Sequence, residues 1–189
     1  MKIKSLLLIA AFCVSAQAAD EMSVMKLKAM KRCEGCDLSG ADLYYANLEG
    51  VNLSGATLTK ANLTKANLLN ANLTNANLTN AILASAILQN ANLKTANLQE
   101  AILKNANLKE ANLKGANLLN ANLEGANLLN ANLEDAKLKS ANLNGADFRV
   151  ADLRGSNLKG ADLKDAKLVA TNLKGAKLTK DNLTNANLR

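Results

Sequence analysis

Two cysteines outside the N-terminal segment, Cys33 and Cys36, have the clearest capacity for chemistry in this chain. A Cys-x-x-Cys pair supplies half of a four-ligand zinc site, but the chain has no histidine, and no carboxylates cluster beside the pair. Catalytic thiol exchange usually occurs on a βαβ scaffold, which this sequence does not predict. A local disulfide is favoured if the protein enters an oxidising compartment. The alternative is that Cys36 fills a small inward position as a free thiol.

The remaining residues offer little for catalysis. The absence of histidine excludes the nucleophile–histidine pairs of many hydrolases. The 16 acidic residues are scattered, and Glu134 and Asp135 are the only adjacent acidic pair in the repeat region. No glycine-rich phosphate loop is present. We therefore predict a protein that is not an enzyme, with no metal and no cofactor.

The dominant feature of the chain is a leucine at every fifth residue. From Leu38 to Leu188, 31 consecutive positions follow this spacing, and Phe148 is the one departure from Leu. The residue two places earlier is Ala at 26 of the 31 positions. The exceptions are Cys36, Val51, Ser156, Thr171 and Asp181. An unbroken internal repeat of this kind indicates a solenoid.

A period of five fits neither a regular helix nor a flat strand. In a helix, five residues turn the chain by about 140° net, so the leucines would spread around the whole surface. In a strand, side chains alternate with period two, so consecutive leucines would point to opposite faces. Both conflicts disappear if the chain turns a corner of about 90° once per repeat. Four corners then close a coil of about 20 residues with Leu and Ala inside.

Runs such as Ala41-Asp42-Leu43 and Ala61-Asn62-Leu63 show the repeat directly. The sequence resembles the pentapeptide-repeat family, whose consensus is A(D/N)LXX, and the match covers residues 36–189. The resemblance implies an all-β fold, a right-handed quadrilateral β-helix. At four repeats a coil, 31 repeats predict a solenoid of about 7.75 coils. Family members that mimic DNA and protect topoisomerases are acidic and cytoplasmic, so that activity is not expected of this basic chain.

The N-terminal segment, residues 1–18, has the pattern of a signal peptide. Lys2 and Lys4 form a basic start, a short apolar run follows, and cleavage is expected after Ala18. We therefore predict an exported protein, periplasmic or secreted, with an uncleaved anchor as the alternative. No later stretch is continuously apolar, so we expect no transmembrane segment in the mature chain.

Residues 19–35 are predicted to form an N-terminal capping helix and connector, and residues 36–189 the pentapeptide-repeat β-helix. The helix is expected over residues 21–31, where Met22, Met25 and Ala29 are spaced to share a face that covers the first coil. The alternative is a helix that binds a partner or a membrane surface. Near the other end, Asp181 puts a carboxylate at an inward position, where an unpaired charge is costly. The last coil is therefore either loosely ordered or stacked on another molecule, and the oligomeric state stays open.

Residues four pentads apart should stack on one face, so the outer surface is organised in columns. One column is mostly basic: Lys94, Lys114, Glu134, Arg154 and Lys174. Its charge is suited to an anionic partner, such as surface polysaccharide, lipid head groups or nucleic acid. The near absence of aromatic residues weakens the case for nucleic acid, because bases usually stack on aromatic rings. A solvated face without a partner is the alternative.

Apolar side chains at outward positions predict a second kind of contact. Ile82, Ile87 and Ile102 replace the usual Asn, and Leu69 and Leu129 lie in another outward column. These residues are candidates for contact with a protein partner, although scattered exposed apolar residues are common in soluble proteins. We expect an exported, non-enzymatic scaffold that presents flat β faces for protein–protein interaction. The alternative function is an anion-binding module that uses the basic column.

Overall fold

The computed structural model describes Leu27, residues 30–179, Leu183 and residues 186–187. The chain winds as a four-sided coil in which each turn spans four pentads. Its strands are reduced to single bridged residues, so that Asp37 pairs in parallel with Thr57. These bridges begin at every fifth residue from Arg32 to Asn157, and every side of a coil therefore pairs with the next coil.

We number the four faces of the coil by the first leucine on each. Face 1 contains Leu38, face 2 Leu43, face 3 Leu48 and face 4 Leu53, and each face continues with every fourth pentad thereafter. Successive coils are stacked at the usual strand spacing of about 4.8 Å. Since the faces follow one another around the coil, face 1 lies opposite face 3 and beside faces 2 and 4.

A hydrogen-bonded turn forms each corner. The Leu63 carbonyl accepts the Ala66 N–H at 3.0 Å, and the equivalent bond recurs one pentad after another. The residue before the alanine has a positive φ, 56° at Lys65 and 58° at Asn90, as a type II turn requires at its second central position. Gly and Asn are the commonest residues at this position because they tolerate the left-handed conformation best.

Backbone and side-chain hydrogen bonds join each coil to the next. On face 2, the Leu63 N–H donates to the Ile82 carbonyl at 2.7 Å. The Asn62 side chain makes two further bonds: Oδ1 accepts the Thr64 N–H at 3.2 Å, and Nδ2 donates to Asp42 Oδ1 at 3.0 Å. The Asn before a leucine thus caps the amide two residues later. Several of these Asn side chains also bond to the residue stacked on them in the adjacent coil and form short ladders along the face.

Leucine and alanine fill the interior in layers. Between Leu53 and Leu158 the central leucines are 0% exposed and the alanines two places earlier at most 1%. Phe148 occupies a leucine position and is 0% exposed. The buried Ser156 Oγ donates to the Leu153 carbonyl at 2.7 Å. Burial of one leucine contributes about 1.5–3 kcal/mol, so this stack is the main source of stability.

The coil begins one pentad before the predicted boundary at residue 36. Arg32 pairs with Asn52, and the Cys33 N–H donates to the Asn52 carbonyl at 2.8 Å. Cys33 takes the inward leucine position with 0% exposure, and Gly35 has the positive φ of 64° that the corner needs. Cysteine is small and apolar enough for this position, although it breaks the leucine pattern in the sequence. The predicted connector is correspondingly shorter, because residues 31–35 belong to the coil.

Two helical residues precede the coil in the described part of the chain, Leu27 and Met30. The Lys31 N–H donates to the Leu27 carbonyl at 3.1 Å, and Leu27 is 1% exposed within the core cluster. Most of the predicted capping helix, the predicted signal peptide at residues 1–18 and Asp181 lie outside the described residues. The capping helix and the count of about 7.75 coils therefore stay predictions. Within the described residues, no helix combines the length and the apolar character needed to cross a bilayer.

Val150 tests the corner geometry. This β-branched residue has a φ of 62° and is 55% exposed, so it carries left-handed strain with little burial in return. Val150→Gly should raise the free energy of unfolding by about 1 kcal/mol, measured by urea denaturation. Asn130→Gly, at the equivalent position one coil earlier with a φ of 58°, is the control and should have a smaller effect. Equal effects of the two substitutions would contradict this account of the corner.

Candidate interaction surfaces

Cys33 and Cys36 lie at the first corner of the coil. The Cys36 N–H donates to the Cys33 carbonyl at 3.2 Å, which is the bond that closes every corner. This turn brings their Cα atoms within 5.2 Å, and their sulfur atoms are joined in a disulfide with an S–S distance of 2.07 Å. The bond links the buried leucine position of one side to the small inward position of the next. Among the described residues, no three cysteine or carboxylate side chains converge as ligands for a metal ion.

The predicted anion-binding column lies on face 4, and two of its four cations are paired. Lys114 Nζ lies 2.8 Å from Glu134 Oε2, and Arg154 lies 3.5 Å from the same oxygen atom. Arg154 also contacts Asp152 at 2.7 Å. Lys94 and Lys174 are exposed and form no ion pair with any described residue. Anion binding by Lys94, Lys114, Arg154 and Lys174 stays a prediction, with much of the charge offset by neighbouring carboxylates.

The ion pairs on face 4 shift the pKa values of some of the residues that form them. The hydrogen bond from Arg154 lowers the pKa of the Asp152 carboxyl below its ordinary value. The hydrogen bond to Glu134 raises the pKa of the Lys114 ammonium. Both shifts favour the charged forms, so the pairs persist across neutral pH. At this degree of exposure such pairs add little to stability, and their main effect is to reduce the net charge of the face.

The three predicted isoleucines lie close together around one corner. Ile82 and Ile102 pair directly in adjacent coils of face 2, and Ile87 follows on face 3 of the same coil as Ile82. Their exposed fractions are 37%, 39% and 41% for Ile82, Ile102 and Ile87 in turn. Leu69 and Leu129 are half-buried on face 3, one coil before and two coils after Ile87. The structure therefore joins the isoleucines in one patch and leaves Leu69 and Leu129 at its margins.

Each isoleucine also leaves a backbone amide without its usual cap. In most repeats the Asn side chain accepts the N–H two residues later, as Asn67 does for Leu69 at 3.1 Å. After Ile82, Ile87 and Ile102 the corresponding amides are those of Ala84, Gln89 and Lys104. None of these three N–H groups has an acceptor among the residues that the structure describes. The isoleucine patch thus combines apolar side chains with three uncapped hydrogen-bond donors.

Two exposed aromatic residues also lie on face 2, two coils before Ile82, with the polar residues Asn62, Thr64 and Lys65 in the coil between. Tyr44 and Tyr45 are 50% and 59% exposed, and their ring centroids lie 4.4 Å apart at an interplanar angle of 87°. Lys65 Nζ donates to Tyr45 Oη at 2.8 Å from the next coil. The tyrosines occupy the two positions after the leucine and Ile82 the position before it, so they share a face with Ile82 but not a column. We call Tyr44, Tyr45, Ile82, Ile87 and Ile102 together the apolar surface.

The tyrosine pair is electrostatically coupled to Lys65. The hydrogen bond from the Lys65 ammonium lowers the pKa of the Tyr45 phenol, because the positive charge stabilises the phenolate. The hydrogen bond with Tyr45 raises the pKa of the Tyr44 phenol above its ordinary value. The two phenols of this chain should therefore lose their protons in separate steps as the pH rises, with Tyr45 first.

Lys65→Gln tests this arrangement in solution. The substitution removes the ammonium, so the first phenolate step should move to higher pH, toward the ordinary value of tyrosine. Ultraviolet absorbance followed through an alkaline titration measures it, and the chain has only 2 tyrosines to assign. Lys60→Gln removes a lysine from the equivalent corner position of face 1 and should leave the titration unchanged. If Lys65→Gln also leaves it unchanged, the contact between Lys65 and Tyr45 does not hold in solution.

Comparison with known proteins places this geometry in a family. The model for pentapeptide repeats matches residues 36–75, 61–99, 91–130, 116–155 and 131–168. HetL, a pentapeptide repeat protein of the cyanobacterium Nostoc involved in heterocyst differentiation regulation, is 40% identical. That match covers 77% of this chain and 69% of HetL with a TM-score of 0.55. No curated protein matches the chain.

Two further solved structures are similar to this chain. QnrB1, a plasmid-mediated fluoroquinolone resistance protein, is 17% identical over 77% of this chain and 92% of its own, with a TM-score of 0.50. A thylakoid-lumen pentapeptide repeat protein of Arabidopsis thaliana is 36% identical over 56% of this chain and 70% of its own, with a TM-score of 0.43. The chain belongs to the pentapeptide-repeat family, whose solved members form right-handed β-helices.

Proposed function

We propose that this protein is an exported, non-enzymatic scaffold that binds a protein partner through the apolar surface. The observation that carries the proposal is the coincidence of exposed isoleucines and uncapped amides at one corner of the coil. Ile82, Ile87 and Ile102 interrupt a row of Asn residues that cap backbone amides over most of the rod. Each interruption exposes an apolar side chain and frees a directional donor at the same place.

Stability alone does not account for these three substitutions. An Asn at each position would restore a hydrogen bond to the uncapped amide, and such a bond contributes about 0.5–1.5 kcal/mol. Isoleucine stabilises the rod through the part of its side chain that is buried, but more than a third of each remains in solvent. Isoleucine replaces Asn three times within one coil, so the replacements are clustered at one place on the surface.

The partner must match this surface chemically. It should offer apolar side chains to the isoleucines and carbonyl oxygen atoms to the amides of Ala84, Gln89 and Lys104, which an irregular or extended polypeptide segment can do. Tyr44 and Tyr45 add aromatic area on the same face, and tyrosine is among the residues that contribute most to protein interfaces. A protein fits these demands better than a small ligand, because the surface is flat and spans several coils.

Several features support a binding role over catalysis. The chain has no histidine to serve as a general base. The interior is filled with Leu and Ala side chains. HetL is described as involved in regulation of differentiation, a role that suits a protein that acts by binding.

Export is part of the proposal and rests on the N-terminal residues and the cysteines. Residues 1–18 follow the signal-peptide pattern, and the corner at Cys33 and Cys36 has the geometry that a disulfide needs. Disulfides persist in the periplasm and outside the cell, and they are rare in the cytoplasm.

A triple variant tests the apolar surface. Ile82→Asn, Ile87→Asn and Ile102→Asn together restore the row of Asn residues and should keep the fold, because the regained amide caps offset the lost apolar burial. A partner identified by crosslinking in the native compartment and then purified should bind the triple variant at least about tenfold more weakly. Binding is measured by titration, and the fold by circular dichroism and thermal melting.

Val150→Asn serves as the matched control for the triple variant. It also replaces an exposed apolar residue by Asn, at a corner of face 3 away from the apolar surface, and should leave the affinity unchanged. An unchanged affinity of the triple variant would show that the partner uses another surface.

The redox state of the cysteines tests the export proposal. Mature protein recovered from the exported fraction should resist alkylation until it is reduced and should then gain two alkyl groups by intact mass. The same spectrum reports whether the chain starts after Ala18. The control is Cys33→Leu with Cys36→Ala, which restores the repeat consensus and should fold without reacting. Two thiols that react before reduction would contradict the predicted disulfide.

A further inference from the structure

The positive charge of the chain is concentrated in its C-terminal part. Residues 136–189 contain eleven Lys and Arg against five Asp, whereas residues 31–135 contain eight Lys and Arg against nine Asp and Glu. Solubility does not require the positive charge to be concentrated in one part of the chain, because evenly distributed charges would keep the rod equally soluble. The excess of cations in residues 136–189 therefore singles out this part as a candidate binding surface.

The cations of this part differ in their pairing from face to face. On face 3, Arg149 lies 2.6 Å from Asp147, and on face 4, Arg154 lies 2.7 Å from Asp152. On face 1, by contrast, four exposed lysines form no ion pair with any described residue. They are Lys137, Lys139, Lys159 and Lys177. We call these four residues the lysine surface.

The lysine surface contains no acidic residue. The three pentads that build it cover residues 136–140, 156–160 and 176–180, and none includes Asp or Glu. The nearest carboxylates along the chain, Asp135 and Asp162, belong to the neighbouring faces 4 and 2, and Asp181, which directly follows the third pentad, lies outside the described residues. The four charges of this surface are therefore not offset within their own face.

The coil holds the four lysines in one plane. Lys137 pairs with Asn157, and Asn157 pairs with Lys177, so these positions form a straight column. Lys139 and Lys159 stand in the parallel column on the other side of the central leucines, about 4.8 Å apart along the rod. Because Lys137 replaces an Asn, the Lys139 amide also lacks an acceptor among the described residues. The four lysines are thus anchored on one flat face, with one uncapped N–H donor among them.

We propose that the lysine surface docks the protein onto anionic phospholipid head groups. Flexible lysine side chains on a flat face can all reach a planar bilayer at once, and a lysine close to an anionic bilayer strengthens binding by about fivefold. Lysine makes point-charge contacts with phosphate, which do not require the fixed geometry of an arginine fork. Face 1 carries no aromatic residue within its described part, so bases of a nucleic acid would find no ring to stack on.

This docking is independent of the proposed protein contact. The apolar surface lies mainly on face 2 in the N-terminal half of the rod, beside face 1 and toward the other end. A molecule attached to a membrane by the lysine surface would keep the apolar surface accessible to a partner.

Vesicle sedimentation of the mature chain tests the proposal. The protein should bind phosphatidylcholine vesicles that contain phosphatidylglycerol, fail to bind pure phosphatidylcholine, and dissociate as salt is raised. Lys137→Gln, Lys139→Gln, Lys159→Gln and Lys177→Gln together should weaken binding by about a hundredfold or more. Circular dichroism and thermal melting confirm that this variant folds.

A second quadruple variant provides the matched control. Lys94→Gln, Lys114→Gln, Arg154→Gln and Lys174→Gln remove the same number of cations from face 4 and should retain binding within about threefold, because half of these cations are already paired. Equal losses in the two variants would assign binding to net charge and overturn the proposal. Absence of wild-type binding to anionic vesicles would also overturn it.

Two further measurements test whether the lysine surface binds a bilayer or a linear polymer, and whether it acts independently of the apolar surface. A soluble sulfated polysaccharide is the probe for a linear anion, and binding to it without binding to vesicles would show that the surface recognises a polymer instead of a bilayer. The triple isoleucine variant should bind vesicles as the wild type does. Loss of vesicle binding in that variant would show that the two surfaces are not independent.

Discussion

The corner that closes after every leucine is the constraint on which the rest of this structure depends. A carbonyl accepts the N–H three residues later, and the residue before that N–H takes a positive φ. Because the bend recurs at a fixed interval, four of them close one coil, and each backbone segment meets its equivalent in the next coil. The inward positions are then reserved for Leu and Ala, while the other three positions of each pentad face outward or form the corner.

The division into inward and outward positions separates the residues that maintain the fold from the residues that set the chemistry of the surface. The Asn residues before the leucines belong to the fold, since those described cap amides of their own corners and several also bond to the adjacent coil. Asp at that position still caps the amide, whereas an isoleucine or Lys137 changes the surface and leaves the amide without its cap. Isoleucine does so on faces 2 and 3 and lysine on face 1, which creates two chemically distinct surfaces on a nearly uniform scaffold. The proposed contacts with a protein and with a bilayer both rest on such departures.

Much of the architecture follows from spacing, and the exceptions have physical reasons. The four-sided coil and its Leu and Ala interior agree with expectation because a strict period leaves one way to bury every leucine. The first corner escaped prediction because Cys33 fills the leucine position there and hides the repeat. The basic column on face 4 looked more strongly charged than it is, because Asp152 lies outside that column yet reaches Arg154. Tyr44 and Tyr45 were not predicted to belong to a contact surface, because they share a face with Ile82 and Ile102 but stand in different columns of it.

The sequence by itself determined the period of the chain, the inward and outward positions, and membership of a solenoid class. These properties depend only on local backbone geometry and on the burial of apolar side chains, which a repeating pattern encodes completely. The tertiary structure decided which cations meet a carboxylate, which amides lose their cap, and which exposed side chains become neighbours. Those outcomes depend on contacts between coils about 4.8 Å apart and on side chains that reach across columns, so they exist only once the coils are stacked.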